Sequence, residues 1–174
     1  MKMKKSNLAT VFLLLVLALS IASCNKKDET TNGELTGVWN CTAVNYTGTS
    51  VTEFMGESAT TDFTGEGYNV DFTFTVGENP NVATSNGSYS IKLTSNVNGQ
   101  TIIQNTENIS FIYTGSWSKD GNKMTIIRDG ESSDATIVKL TDTELELNID
   151  DVRTIENGDI KVTSTTNMTV SFIR

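Results

Sequence analysis

The chain has no histidine, a single proline and only two cysteines among 174 residues. Without histidine it lacks the commonest general base and the commonest metal ligand, so no Ser–His or Cys–His nucleophile pair can form. Positive charge is scarce too, with 13 Lys and Arg against 21 Asp and Glu, a net charge of −8. Phosphate contacts need clustered Lys and Arg, so no nucleic-acid partner is expected. Long apolar runs are missing as well. The longest is "VFLLLVLAL" at 11–19, short of the about 20 residues that ~30 Å of hydrocarbon requires.

That run follows Lys2, Lys4 and Lys5 and stops just before Cys24. A basic start and a short apolar stretch have the form of a secretory signal peptide, expected over residues 1–23. Ile21-Ala22-Ser23 directly before Cys24 resembles the bacterial lipobox. The resemblance implies acylation of Cys24 and a hold on the outer membrane through it, each buried CH₂ contributing ~0.8 kcal/mol. Asn25 follows, not the Asp that resembles an inner-membrane retention signal. Lys27, Asp28 and Glu29 resemble the lysine-plus-acids export signal of Bacteroidetes surface lipoproteins; taken alone they make a solvated tether. The expected location is therefore the outer membrane, lipid-anchored and exposed on the cell surface. The lipidated Cys and polar tether occupy 24–34, and a single domain is expected over 35–174. Ten extended tether residues reach ~33 Å at most. Loss of 1–23 removes three Lys and no acid, so the 13 basic residues fall to 10 against 21 acidic ones, a net charge of −11. With Cys24 acylated, Cys41 has no partner for an intrachain disulfide.

From Leu35 onward the apolar period is two. Val70, Phe72, Phe74 and Val76 alternate with Asp71, Thr73 and Thr75; Leu145, Leu147 and Ile149 alternate with Glu144, Glu146 and Asn148. Such alternation means strands with one buried and one wet face. Asp-Gly and Asn-Gly pairs in "KDGN" (119–122), "RDGE" (128–131) and "ENGD" (156–159) are hairpin connections. "GENPN", which holds Pro80, reads as a turn. About eight strands are expected, over 37–46, 68–76, 87–95, 107–117, 123–128, 134–140, 143–152 and 160–173. "VTEFMGESATTDF" (51–63) lacks clean alternation and reads as a short helix or a long loop; 95–106 is another hairpin or irregular. The fold class is all-β. An antiparallel up-and-down β-barrel removes both sheet edges, and a two-sheet β-sandwich uses the same patterns.

Two stretches favour the barrel. "LTGVWNCTAV" (35–44) carries Gly37-Val38-Trp39, which resembles the lipocalin G-x-W motif of a first strand. "GSWSKDGNKMTI" (115–126), followed by "LTDTELEL" (140–147), is similar to the lipocalin-like (calycin-like) domain of Bacteroidetes surface lipoproteins. The resemblance implies an eight-stranded barrel, just wide enough to fill itself or to hold one small ligand. It also implies that a basic residue at the end of the last strand closes the barrel over the first-strand Trp. Arg174 in "SFIR" is the candidate partner of Trp39, with a solvated C-terminal Arg as the plain alternative.

Little here suggests chemistry. Cys41 reads as a small buried hydrophobe, since no nearby cation would activate it. Asp150 and Asp151 are adjacent and so point to opposite strand faces. The calcium-loop pattern of an EF-hand is absent. A non-enzymatic protein with no cofactor and no metal is expected. The last strand carries one clue: Ser164 and Thr166 fall on the face of Ile160, Val162, Met168, Val170 and Phe172. Either a bulge turns this pair outward, or the barrel centre is partly polar, as in a pocket that orients a ligand. Phe72, Phe74, Tyr89, Phe111, Tyr113 and Trp117 are the aromatics that would line such a pocket, with plain core as the alternative for each. The leading expectation is a binding protein whose barrel holds a small apolar or amphipathic ligand. The second is a glycan- or protein-binding accessory module of the outer surface, with Tyr46 and Tyr68 beside the irregular segment as its aromatics. The third is a mainly structural or inhibitory envelope protein.

Overall fold

The alternating segments pair into nine antiparallel strands in the computed structural model, which describes residues 31–97, 99–111 and 113–174. These are β1 (Gly37–Phe54), β2 (Glu57–Val76), β3 (Val82–Val97), β4 (Gln100–Ser110), β5 (Gly115–Asp120), β6 (Lys123–Arg128), β7 (Glu131–Leu140), β8 (Glu144–Asn157) and β9 (Ile160–Ile173). β1 pairs with both β2 and β9, β2 pairs with β3, and β5 to β9 follow in sequence order from the lower end of β3. Eight strands thus close a ring, which removes the sheet edges of a sandwich. Residues 1–30, with Cys24, Lys27, Asp28 and Glu29, lie outside the described part.

Gly37, the β7–β8 turn and Arg174 mark the lower end; the β1–β2, β3–β4 and β8–β9 turns mark the upper. The chain enters at the lower end, where Thr31 bridges to Leu140 and the Gly33 amide donates to the Leu140 carbonyl at 3.0 Å. Segment 51–63 is neither helix nor loop. It forms the top of the β1–β2 hairpin, in register from Ser50↔Thr61 to Phe54↔Glu57, and turns at Met55 (φ 50°) and Gly56 (φ 87°). Alternation is missing there because the hairpin tip is wet on both faces. Segment 95–106 is the β3–β4 hairpin. The expected strand 107–117 is broken: β4 ends at Ser110, and β5 starts again at Gly115 lower on the same neighbour, β3. Ser85 secures the crossing. Its Oγ donates to the Phe111 carbonyl, and its amide donates to Thr114 Oγ1 at 3.1 Å. As a result β4 has a ladder partner only in β3 among the described strands, and the upper wall is open on its other side.

Register shifts set which residues face inward. β1 shifts between Cys41 and Ala43, so Trp39 and Cys41 point in below it and Val44, Tyr46 and Ser50 above it. β2 shifts around Asn69 (φ 49°), exchanging Phe72, Phe74 and Val76 for Gly65, Phe63 and Thr61. An extra residue in one strand has this effect on side-chain parity. β9 has no such shift against β8: pairing runs unbroken from Glu144↔Ile173 to Asn157↔Ile160. Ser164 and Thr166 therefore keep the inward face of Met168, Val170 and Phe172, and no bulge turns them outward.

The lower half is solid. Trp39, Phe74, Phe172, Met124, Ile137, Leu140, Leu145 and Leu147 are all fully buried there. The lower end is closed by Arg174, whose Cζ lies 4.3 Å from the Trp39 ring centroid. Its Nη1 donates to the Thr36 carbonyl at 2.8 Å and its Nε to the Asp142 carbonyl at 2.5 Å. The Trp39 indole N–H donates to the Leu35 carbonyl at 2.8 Å. Gly37 lies beneath this cap at φ +133°, a backbone conformation that other residues rarely adopt.

Candidate functional site

The ladder registers divide the upper interior into layers. Tyr46, Leu93, Ile149 and Met168 share the lowest one, through Tyr46↔Gly65↔Leu93 and Tyr46↔Met168↔Ile149. Gly48, Phe63, Ser95, Thr166 and Asp151 form the next. Ser50, Thr61, Ser164 and Arg153 form the third. Polarity rises from layer to layer. Together with Tyr89, Ile91, Phe111 and Tyr113 beneath and Gln104 and Thr106 on β4, these side chains line a cavity of about 1160 Å³. That is slightly above the ~300–1,000 Å³ typical of small-molecule sites.

The floor is an aromatic slab. Phe111 stacks on Phe72 with centroids 4.8 Å apart and on Tyr113 at 5.3 Å, while Phe172 meets Phe72 edge-on at 5.9 Å. Tyr113 is fixed by donating its hydroxyl to the Asp134 carbonyl at 3.0 Å. Burial, with Asp134 and Asp151 nearby, pushes its phenol up to about 12. The Tyr46 and Tyr89 hydroxyls are hydrogen-bonded to each other, and burial raises both phenols above the ordinary value. Phe63 lies across Gly48, where a Cβ would come within 2.5 Å of the ring.

Charge gathers at the mouth and is paired there. Arg153 Nε meets Asp151 Oδ2 at 2.6 Å, and Asp150 accepts from Asn167 Nδ2 at 2.8 Å on the other strand face. Away from the mouth, on the outer face of β6 and β7, Asp134 lies 2.8 Å from Lys123 and accepts from Thr125 at 2.6 Å, which holds its carboxyl below the usual carboxylate value. Ser50 and Ser164 hydroxyls bond at 3.3 Å. Cys41 lies outside the cavity against the solid core, and burial pushes its thiol up to about 12. A thiol so far above neutral pH is no nucleophile.

Five of the residues expected to line a pocket do so: Tyr89, Phe111, Tyr113, Ser164 and Thr166. Three do not. Phe74 pairs with Trp39 across β1 and β2 in the filled half. Phe72 lies beneath Phe111 as part of the slab. Trp117 sits at the lower end and donates its indole N–H to the Gly77 carbonyl at 2.6 Å. Alternation assigns these three a face but not a height, and height separates core from cavity. Tyr46, expected on an outer face, points into the cavity because the β1 shift reverses its parity. Tyr68 stays on the outer face and is half-buried. Phe63 and Arg153 had no sequence signal, since both lie where the hairpins rise beyond the packed wall.

A family model described as "Lipocalin-like domain" matches residues 35–147. No curated protein and no solved structure gives a significant match. The matched span holds Gly37, Trp39, the slab aromatics Phe72 and Phe111, and the Tyr46–Tyr89 pair. It ends at Leu147, so Asp151, Arg153 and the whole of β9 lie beyond it. The match covers well over half of a chain whose strands close into a barrel with one capped end and one open end: the protein belongs to the lipocalin-like domain family.

Proposed function

We propose that this is a non-enzymatic, lipid-anchored protein of the outer cell surface that holds a small amphipathic molecule in the upper half of its barrel. The observation that carries the reading is the cavity of about 1160 Å³, apolar at its floor and hydroxyl-lined above, over a filled lower half. A pocket that is mostly apolar with a few placed polar groups suits a ligand of mixed character. The anchoring part rests on the sequence around Cys24, with Lys27, Asp28 and Glu29 as the export signal. The described chain begins at Thr31, at the lower end of the barrel and opposite the open one.

The ligand is tested by native mass spectrometry of the mature chain (24–174, with Cys24→Ser) straight after mild purification. A bound small-molecule mass, released by organic solvent, is the expected result. A clean apo mass that persists after incubation with lipids and other apolar compounds overturns the reading. The anchor is tested by labelling cells with an alkynyl fatty acid. Label on the parent and none on Cys24→Ala is expected; label on neither removes the lipoprotein assignment. Protease shaving of intact cells that leaves the protein whole removes its surface exposure.

A protein-binding role has one observation in its favour. Phe54, Met55, Ile155 and Ile160 stand exposed on the neighbouring tips of the β1–β2 and β8–β9 hairpins. Clustered exposed apolar side chains mark contact surfaces.

A further inference from the structure

The Tyr46–Tyr89 pair says something about the chemistry of the ligand end that reaches the floor. Each phenol has one proton to donate. The bond between the two hydroxyls uses one proton, whichever oxygen donates it. The other proton has no acceptor among the described residues, and both side chains line the cavity. One donor is thus left over in the lowest layer, in a setting that keeps both phenols protonated.

No cation rises from that layer among the described residues that line the cavity. Arg153, the cation at the cavity, belongs to the rung of Ser50 and Ser164, four residues above Tyr46 on β1. Its side chain reaches down to Asp151 at 2.6 Å, one rung above Tyr46, and is felt at the Tyr46 phenol, but that carboxylate already pairs it. An anionic group brought to the floor would lose its hydration and meet only a cation that Asp151 already neutralises. A ketone, ester, ether or alcohol oxygen would lose far less and would accept the spare proton. The neighbours Leu93, Ile149 and Met168 suit hydrocarbon on either side of it.

We propose that the lowest layer of the cavity takes an uncharged, oxygen-bearing end of the ligand, which accepts a hydrogen bond from the Tyr46–Tyr89 hydroxyl pair. The assignment rests on the ligand-holding reading above and adds a depth and a chemical class to it.

The test uses three probes of one chain length, tridecane, tridecan-2-one and tridecanoate, each displacing N-phenylnaphthylamine from the mature chain carrying Cys24→Ser. The ketone should bind about tenfold more tightly than the hydrocarbon, the size of one net hydrogen bond. Tyr46→Phe with Tyr89→Phe should abolish that preference while leaving tridecane and tridecanoate bound as before. Either single change should retain part of it, because the remaining hydroxyl keeps its proton. In the unsubstituted pair, the carbonyl stretch of bound tridecan-2-one should lie at lower frequency than in tridecane solution, a reading that needs no variant to fold. Equal affinity for ketone and hydrocarbon, an unshifted carbonyl band, or a preference that survives the double change overturns the assignment. Loss of tridecanoate in step with the ketone also overturns it, since a carboxylate would then reach the floor. If none of the three displaces the dye, the ligand-holding reading itself falls, a failure distinct from binding without discrimination.

Discussion

On β9, Val170 and Phe172 are 0 % and 1 % exposed, whereas Thr166 and Ser164 on the same unbroken face border an open cavity. The same contrast runs around the barrel. Below, Leu145 and Leu147 of β8 are sealed against Phe172 and Val170; above, Asp151 and Arg153 occupy the same face of the same strand. β1, β2, β3, β8 and β9 run through both halves, so along these strands the ladder continues. What differs is side-chain content: large apolar groups that interdigitate below, and small or polar ones that leave space above. Stability and binding are therefore divided along the barrel axis.

The contrast is broken most severely by Phe172→Ala. It removes a fully buried ring from the filled half and should lower unfolding free energy by about 3–5 kcal/mol, read by urea denaturation. Thr166→Val, two rungs into the cavity, should change it by less than about 1 kcal/mol. Equal losses would mean that the upper half is packed as tightly as the lower.

Arg174→Ala should come next. It removes a cation over an indole, worth about 0.5–2 kcal/mol, and two charge-assisted bonds to carbonyls. A lowered melting temperature is expected, and no change would make the lower cap a solvated C-terminus. Ser164→Leu with Thr166→Leu should sharpen the division from the other side. Filling the cavity should block N-phenylnaphthylamine while stability falls by less than about 1.5 kcal/mol. Dye binding at parental strength would place the ligand elsewhere.

The smallest effect expected is alkaline. Tyr113 keeps its proton in the folded state up to about 12, against 10.0 for a free phenol, and Tyr46 and Tyr89 are raised as well. Below 10.0 their contribution to stability is fully present. As pH rises above 10.0 the unfolded chain ionises first, so the contribution is lost progressively towards the folded values. Melting temperature should drop over that range, and the Tyr46→Phe, Tyr89→Phe double variant should drop less. Parallel curves would show that these phenols are not buried in solution.

Period two, Asp-Gly and Asn-Gly turns and the G-x-W triplet are local signals, and they made the antiparallel strands, most hairpins and the capped end legible. On β9 the sequence placed Ser164 and Thr166 on the apolar face but left a bulge open, and the unbroken register against β8 decided it. Segment 51–63 was not legible, because a hairpin tip wet on both faces has no apolar rhythm to display. Nor was the break at 111–114, where the chain drops to a lower level of β3 without any change in composition. Tyr46 was misassigned by a single residue of shift in β1, while Phe74 and Trp117, left between core and pocket by the sequence, were decided by their height along the barrel.

Sequence alone determined which segments are strands, and roughly which side of each is apolar, since both follow from residues two apart on one chain. Tertiary structure decided the rest. Bulges on β1 and β2 reset parity against their neighbours, closure through β9 and β1 brought distant hydroxyls into common layers, and the unpaired side of β4 opened the wall. These depend on register between strands far apart in sequence, and only the closed barrel sets all those registers at once.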